Sequence, residues 1–211
     1  QILTEEASAC FQKFESLPCQ QIYSTIRNFS ENFATILKIR RIAASISASH
    51  LIGGCGAVNE FAGYEAVHEE AMRLAADCIK TTLPVLEECD VTLALEPLGP
   101  AEGNFLNRAE QAVELAEMIA SPHCRLHLDV KAMSSEDKPI DQVIRDSRDW
   151  IAHFHANDPN LLGPGMGEVE FDPIFTALDE IGYNDWVSVE VFNYEPGVET
   201  ICESSMAYMK E

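Results

Sequence analysis

Four ionisable residues each stand where a short apolar run ends. Glu96 follows Val91-Thr92-Leu93-Ala94-Leu95, and Asp129 follows Arg125-Leu126-His127-Leu128. His155 follows Ile151-Ala152-His153-Phe154, and Glu190 follows Trp186-Val187-Ser188-Val189. Runs of this length read as buried strands. If the strands are parallel neighbours, their carboxyl ends share one face, the face on which such folds hold their chemistry. Three carboxylates and one imidazole would then meet. Like charges so placed repel strongly unless a cation sits among them. A hard, oxygen-rich set with one imidazole suits Mn2+, Mg2+ or Co2+ better than structural zinc. The expectation is one divalent ion held by Glu96, Asp129, His155 and Glu190, with positions left open for substrate oxygens.

Taken singly, these residues have ordinary readings. Glu96 before Pro97 reads as a loop residue, Asp129 as a helix N-cap, and His155 as a hydrogen-bonded core histidine. Glu190 resists this treatment, because Val187 to Phe192 otherwise reads as a buried strand and burying an unpaired carboxylate is costly. Their recurrence on four consecutive strands is what favours a shared ion.

The elements that would position them are legible from about residue 50. His50-Leu51-Ile52 runs into Gly53-Gly54-Cys55-Gly56, a strand ending in a glycine loop. Residues 64 to 88 carry apolar residues at helical spacing, with a kink expected at Pro84. Asn107 and Glu110 are placed as a capping box for the next helix. A further helix is expected from Ile140 to Asp149. Asp172-Pro173 reads as an N-cap and first helical residue, with a stop at Gly182. A closing helix is expected from Gly197 to Lys210. Strands and helices alternating in this way, the strands continuously apolar, predict a parallel sheet with helices outside. Five βα units are legible between residues 48 and 211. The first 48 residues read as mainly helical, with a short strand near Gln21-Ile22-Tyr23. The fold class expected is α/β, a TIM (β/α)8-type barrel shortened on its N-terminal side, since eight units need about 250 residues. Residues 1–211 read as one domain, without repeats or a linker.

Whole-chain properties narrow the partners. With 35 Asp and Glu against 14 Lys and Arg, the net charge of −21 opposes binding of nucleic acid through its phosphates. No apolar run reaches the roughly 18 to 20 residues that span a bilayer, so no membrane partner is expected. The first residues, Gln1 to Glu6, show no signal-peptide pattern. Seven cysteines without a CxxC pair read as reduced, buried thiols, and the expected location is cytoplasmic. A barrel with an open sheet edge would gain from a second copy, so a homo-oligomer is expected.

Five segments together resemble the xylose isomerase-like superfamily, in particular its sugar phosphate isomerase and ketose 3-epimerase branch. They are Leu95-Glu96-Pro97-Leu98, His127-Leu128-Asp129, His153 to Asp158, Gly163 to Phe171 and Val187 to Phe192, in order over residues 48 to 211. The resemblance implies that Glu96, Asp129, His155 and Glu190 bind one metal. It also implies that Glu96 and Glu190 are the acid/base pair on opposite faces of a small sugar or polyol, epimerised or isomerised through an enediolate. His153, Asp158 and Lys131 are candidates for substrate binding or support of the ligands. Two positions depart from the branch: its substrate-contacting His is replaced by Ala132, beside Lys131, and its Arg by Leu161. A lyase that dehydrates a cyclic polyol-ketone and a catalytically degenerate metal-binding barrel therefore stand as alternatives. The glycine loop 163 to 167 reads as a tight turn, with a phosphate cradle as the rarer reading.

Overall fold

The computed structural model describes residues 50–54, 64–103 and 105–210. Five strands form one parallel sheet in sequential order: β1 His50–Gly54, β2 Thr92–Glu96, β3 Cys124–Asp129, β4 Ile151–Ala156 and β5 Val187–Val189. Seven described helices connect and follow them: α1 Tyr64–Lys80, α2 Leu83–Cys89, α3 Ala109–Ile119, α4 Val130–Met133, α5 Ile140–Asp146, α6 Asp172–Glu180 and α7 Val198–Tyr208. The helix and short strand expected in the first 48 residues, and Cys55 and Gly56 of the glycine loop, lie outside the described residues.

Parallel strands covered by helices lose water on both faces, and β3 shows it. Leu126 and Leu128 point to the helices and are buried, while His127 and Asp129, one step out of phase, are buried on the other face. The helix side is filled by α3, whose Ala109, Ala112, Leu115, Ala116 and Ile119 recur at helical spacing and pack with Leu95, Leu126 and Phe154. At about 25 cal/mol per Å2 of apolar surface removed from water, each such leucine contributes about 2 kcal/mol.

Local expectations failed in instructive places. Pro84 does not kink one long helix. The chain breaks at Thr81 and Thr82, the Thr82 hydroxyl donates to the Ile79 carbonyl at 2.7 Å, and Pro84 occupies the first turn of α2. There its missing N–H has no partner to lose. The cap of α3 is Arg108 rather than Asn107, and its reciprocal acceptor is Gln111 rather than Glu110. The Gln111 Oε1 receives the Asn107 and Arg108 amides at 2.8 and 3.2 Å. Asn107 turns its own amide to the Leu98 and Gly103 carbonyls. Asp172 is the first helical residue of α6 and Phe171 its cap. α5 stops at Asp146, where the Ser147 amide closes the last turn on Val143 and Ile144, and β5 stops at Val189, beyond which the Phe192 and Asn193 amides donate to the Leu161 carbonyl instead of to a strand.

Candidate metal centre

Glu96 is the last residue of β2, Asp129 the last of β3, His155 the last but one of β4, and Glu190 follows β5 directly. The β3–β4 register pairs Asp129 with His155, and β4–β5 pairs His155 with Ser188. The His155 Nδ1 lies 3.6 Å from Asp129 Oδ2 and 3.3 Å from Glu190 Oε2. Asp129 is 2% exposed, whereas the Glu190 side chain is 37% exposed and faces the open side.

Strand stagger decides what meets Glu96. The β2–β3 register pairs Leu95 with Leu126, so the next residues, Glu96 and His127, come side by side. The His127 Nε2 is 3.5 Å from Glu96 Oε1. One donor atom from each of Glu96, His127, Asp129 and His155 lies within 4.8 Å of all the others. His127 was not singled out by the sequence pattern; the signal was its place two residues before Asp129, on the same side of the strand.

Asp129 is held from both sides. Its Oδ1 accepts the Ala132 amide at 2.9 Å as the N-cap of α4, and its Oδ2 accepts the Asn157 amide at 2.6 Å. The Asn157 carbonyl oxygen in turn accepts the Lys131 backbone N–H at 2.8 Å. So the ordinary reading of Asp129 as an N-cap and its placement at the cluster are both realised, one per oxygen. Asn157, like His127, was missed.

The supporting candidates separate. The His153 Nε2 meets the Ser188 hydroxyl at 3.0 Å, and its ring stacks on His127 with centroids 5.2 Å apart. The Lys131 amine pairs with Glu102 at 2.9 Å and sits 4.3 Å from the centre of the Phe192 ring. Asp158 ties the loop after β4: its carboxylate accepts the Asn160 and Val169 amides at 3.1 and 2.9 Å. Leu161, in that loop, has φ +73°, uncommon for a residue with a side chain. Gly167 lies so close to the Asp158 carboxylate that a Cβ would stand 2.1 Å from it. The loop is thus packed tightly, which is the tight-turn reading of residues 163 to 167.

Electrostatics follow from burial and crowding. Burial, then Asp129 and Glu190, push the Glu96 carboxyl up to about 7. Burial lowers the pKa of His155, but its pairing with Asp129 and Glu190 wins and raises it to about 9. Burial, then His155 and His153, hold His127 down to about 2. The residues fit a divalent cation. Burial, then the neighbouring carboxylates, disfavour the charge on Glu96, which a cation would relieve, and neither nitrogen of buried His127 makes a hydrogen bond among the described residues.

Comparison with known proteins places the chain. A family model described as xylose isomerase-like TIM barrel matches residues 12–211. A D-psicose 3-epimerase of Enterocloster bolteae is 35% identical over 111 residues, 53% of this chain and 37% of the relative. The match therefore spans less than half of that curated relative. The crystal structure of the D-psicose 3-epimerase of Clostridium cellulolyticum with D-tagatose superimposes with a TM-score of 0.74 at 20% identity, covering 87% of this chain and 69% of that one. The IOLI protein, crystallised with a zinc atom, superimposes with a TM-score of 0.69 at 21% identity, covering 87% and 69%. These superpositions establish the barrel fold. No described helix is long and apolar enough to cross a membrane.

Proposed function

This chain belongs to the xylose isomerase-like TIM barrel family, and on that premise we propose that it is a metal-dependent isomerase or epimerase of a sugar or sugar-like polyol. The observation that carries the reading is the convergence of Glu96, Asp129, His155 and Glu190 at the carboxyl ends of four neighbouring strands, with the His155 Nδ1 facing the Asp129 and Glu190 carboxylates at 3.6 and 3.3 Å. The sugar comes from the relatives: an epimerase of D-psicose is among the matched proteins. Zinc in the structure of the IOLI protein supports a divalent ion, and the oxygen-rich donors here favour Mn2+, Mg2+ or Co2+.

When bound, the cation would polarise the carbonyl and neighbouring hydroxyl oxygens of the substrate and so acidify the C–H between them. Asp129 would hold the ion rigidly, its carboxylate locked by the Ala132 and Asn157 hydrogen bonds. His155 would turn its Nδ1 to the ion in place of its present carboxylate neighbours. Glu190, the more exposed glutamate, would take the carbon-bound proton, and Glu96 would serve as its partner on the buried side. Lys131, the cation beside Phe192 and Glu102, would meet a substrate oxygen at the mouth. His153 would steady the imidazole stack through Ser188, and Asp158 would act only by holding its loop.

The test is deuterium uptake. Mn2+-loaded protein is incubated with ketopentoses, ketohexoses and inosose-like ketones in D2O, and exchange at the carbon beside the carbonyl is followed by NMR. Exchange by the wild type, reduced about 100-fold or more in Glu190→Gln, supports the reading. Exchange accompanied by loss of water would assign the lyase chemistry instead. One bound ion per chain with no exchange of any ketone would leave the degenerate barrel and sink the enzymatic reading.

A further inference from the structure

The segments that follow the ligand-bearing strands also touch one another. Lys131 lies two residues beyond Asp129, Phe192 two beyond Glu190, and Glu102 six beyond Glu96. The Lys131 amine donates to the Glu102 carboxylate at 2.9 Å and sits 4.3 Å from the centre of the Phe192 ring. Side chains from the segments after β2, β3 and β5 are thereby joined. The Lys131 side chain is 16% exposed and that of Glu102 39%, and Phe192 is half exposed, so the trio is open to a ligand. It is also close to the cluster. Burial, then Asp129 and Glu190, raise the Glu96 carboxyl, and Lys131 is among the charges that oppose them.

The chemistry of the trio selects what it can hold. An ammonium beside a carboxylate sets donors and an acceptor side by side. A hydroxyl both donates and accepts, so it matches such a pair. An ionised phosphate offers acceptors only. It would suit the amine, but it would meet Glu102 as a like charge and find no use for it as an acceptor. The net charge of −21 adds to that repulsion. Phe192 supplies an apolar face on which the C–H side of a sugar can lose water. Lys131 is the one polar side chain of α4, so the side-chain donor from this element is fixed.

We propose that Lys131, Glu102 and Phe192 form the subsite for the end of the substrate remote from the metal, and that they select an uncharged polyhydroxyl chain over a phosphorylated one. This rests on the isomerase or epimerase reading above and narrows its substrate to a free sugar or polyol. Glu102 is the selecting group: it completes the hydrogen bonds of a hydroxyl and repels an anion. Phe192 carries the sugar's apolar face.

The full chain loaded with Mg2+ is titrated calorimetrically with D-fructose and D-psicose, each free and as its 6-phosphate. Deuterium exchange beside the carbonyl is measured on the same four sugars. The wild type is expected to favour the free ketoses about tenfold or more, in Kd and in kcat/KM. Glu102→Gln is expected to shrink that preference about tenfold, chiefly by admitting the phosphates. A merely structural ion pair would change both kinds of sugar alike. Phe192→Ala is expected to raise KM more than it lowers kcat. Equal or tighter binding of the phosphates by the wild type overturns this inference and leaves the isomerase reading standing. Free ketoses that bind with the expected preference, with no exchange of any ketone, sink that reading and leave the subsite. Binding of none of the four sugars overturns the subsite. If Glu102→Gln fails to fold, the wild-type preference still decides.

Discussion

At the residue scale, the cluster is a set of groups whose protonation is decided by one another. A group whose pKa is raised on folding makes the folded state hold extra protons between the two values, and stability falls as pH rises through that interval. Glu96 contributes this from about 4.5 to about 7, and His155 from about 6.5 to about 9. His127 runs the other way. Its pKa falls from 6.5 to about 2 on folding, so the unfolded state holds the extra proton between them and stability rises with pH there. On these three groups, metal-free protein is expected to gain stability up to about pH 4.5, hold level to 6.5, and lose it up to 9. Thermal unfolding in chelator across that range checks the sign; a maximum at pH 8 or above would contradict it. A divalent ion requires the unprotonated ligands, so loading near pH 7 should release about one to two protons per ion. Calorimetry in buffers of differing ionisation enthalpy reads that number. Asn157 acts on the same centre at one remove. Asn157→Ala frees one oxygen of Asp129 and is expected to weaken metal binding about 10- to 100-fold with little loss of fold.

At the element scale, the strands aim the ligands and the loop after β4 closes beside them. Asp158 receives two backbone amides of that loop, and Gly167 lets the chain pass against its carboxylate. Asp158→Ala is expected to cost about 2–4 kcal/mol, with hydrogen exchange accelerating at Asn160 and Val169 while the β3 amides stay protected. An unchanged melting temperature would refute the stapling role. Gly167→Ala should reproduce the loop's loosening, because the added Cβ would overlap the Asp158 carboxylate. On the helix side, Leu115 of α3 is fully buried in the core, and Leu115→Ala is expected to destabilise by about 2–5 kcal/mol. Its effect on metal affinity should be small by comparison, as α3 lies across the sheet from the cluster.

At the scale of the molecule, charge dominates. A chain of net charge −21 repels itself when compact, and salt screens that repulsion. The melting temperature of the metal-free protein is expected to rise between 20 and 500 mM NaCl, at roughly those concentrations, and to rise further with a divalent ion that has no counterpart in monovalent salt. A melting temperature that falls with salt would show that ion pairs such as Arg145 with Asp141 and Glu180 outweigh the net repulsion. The same excess of acid concentrates cations near the cluster and disfavours polyanions, and retardation of DNA by this chain would run against both.

The alternation of apolar runs and helical stretches by itself determined the parallel sheet and the ends at which its chemistry had to lie, because side-chain periodicity is a local property of the backbone. It also picked out Glu96, Asp129, His155 and Glu190, since an ionisable residue ending an apolar run stands out without any knowledge of its neighbours, although the run before Glu190 is only half-buried. What only the tertiary structure decided was who stands next to whom. The stagger between β2 and β3 set His127, not Asp129, beside Glu96, and no sequence spacing encodes an inter-strand register. Asn157 became the partner of Asp129 across 28 residues, and Gln111 displaced Glu110 as the acceptor capping α3. The loop contacts of Asp158 were likewise decided by packing, because the Val169 amide is brought to its carboxylate by the turn at Gly167. Hydrogen bonds are settled by which groups end within 3 Å of one another, and that is a property of the packed chain rather than of the order of its residues.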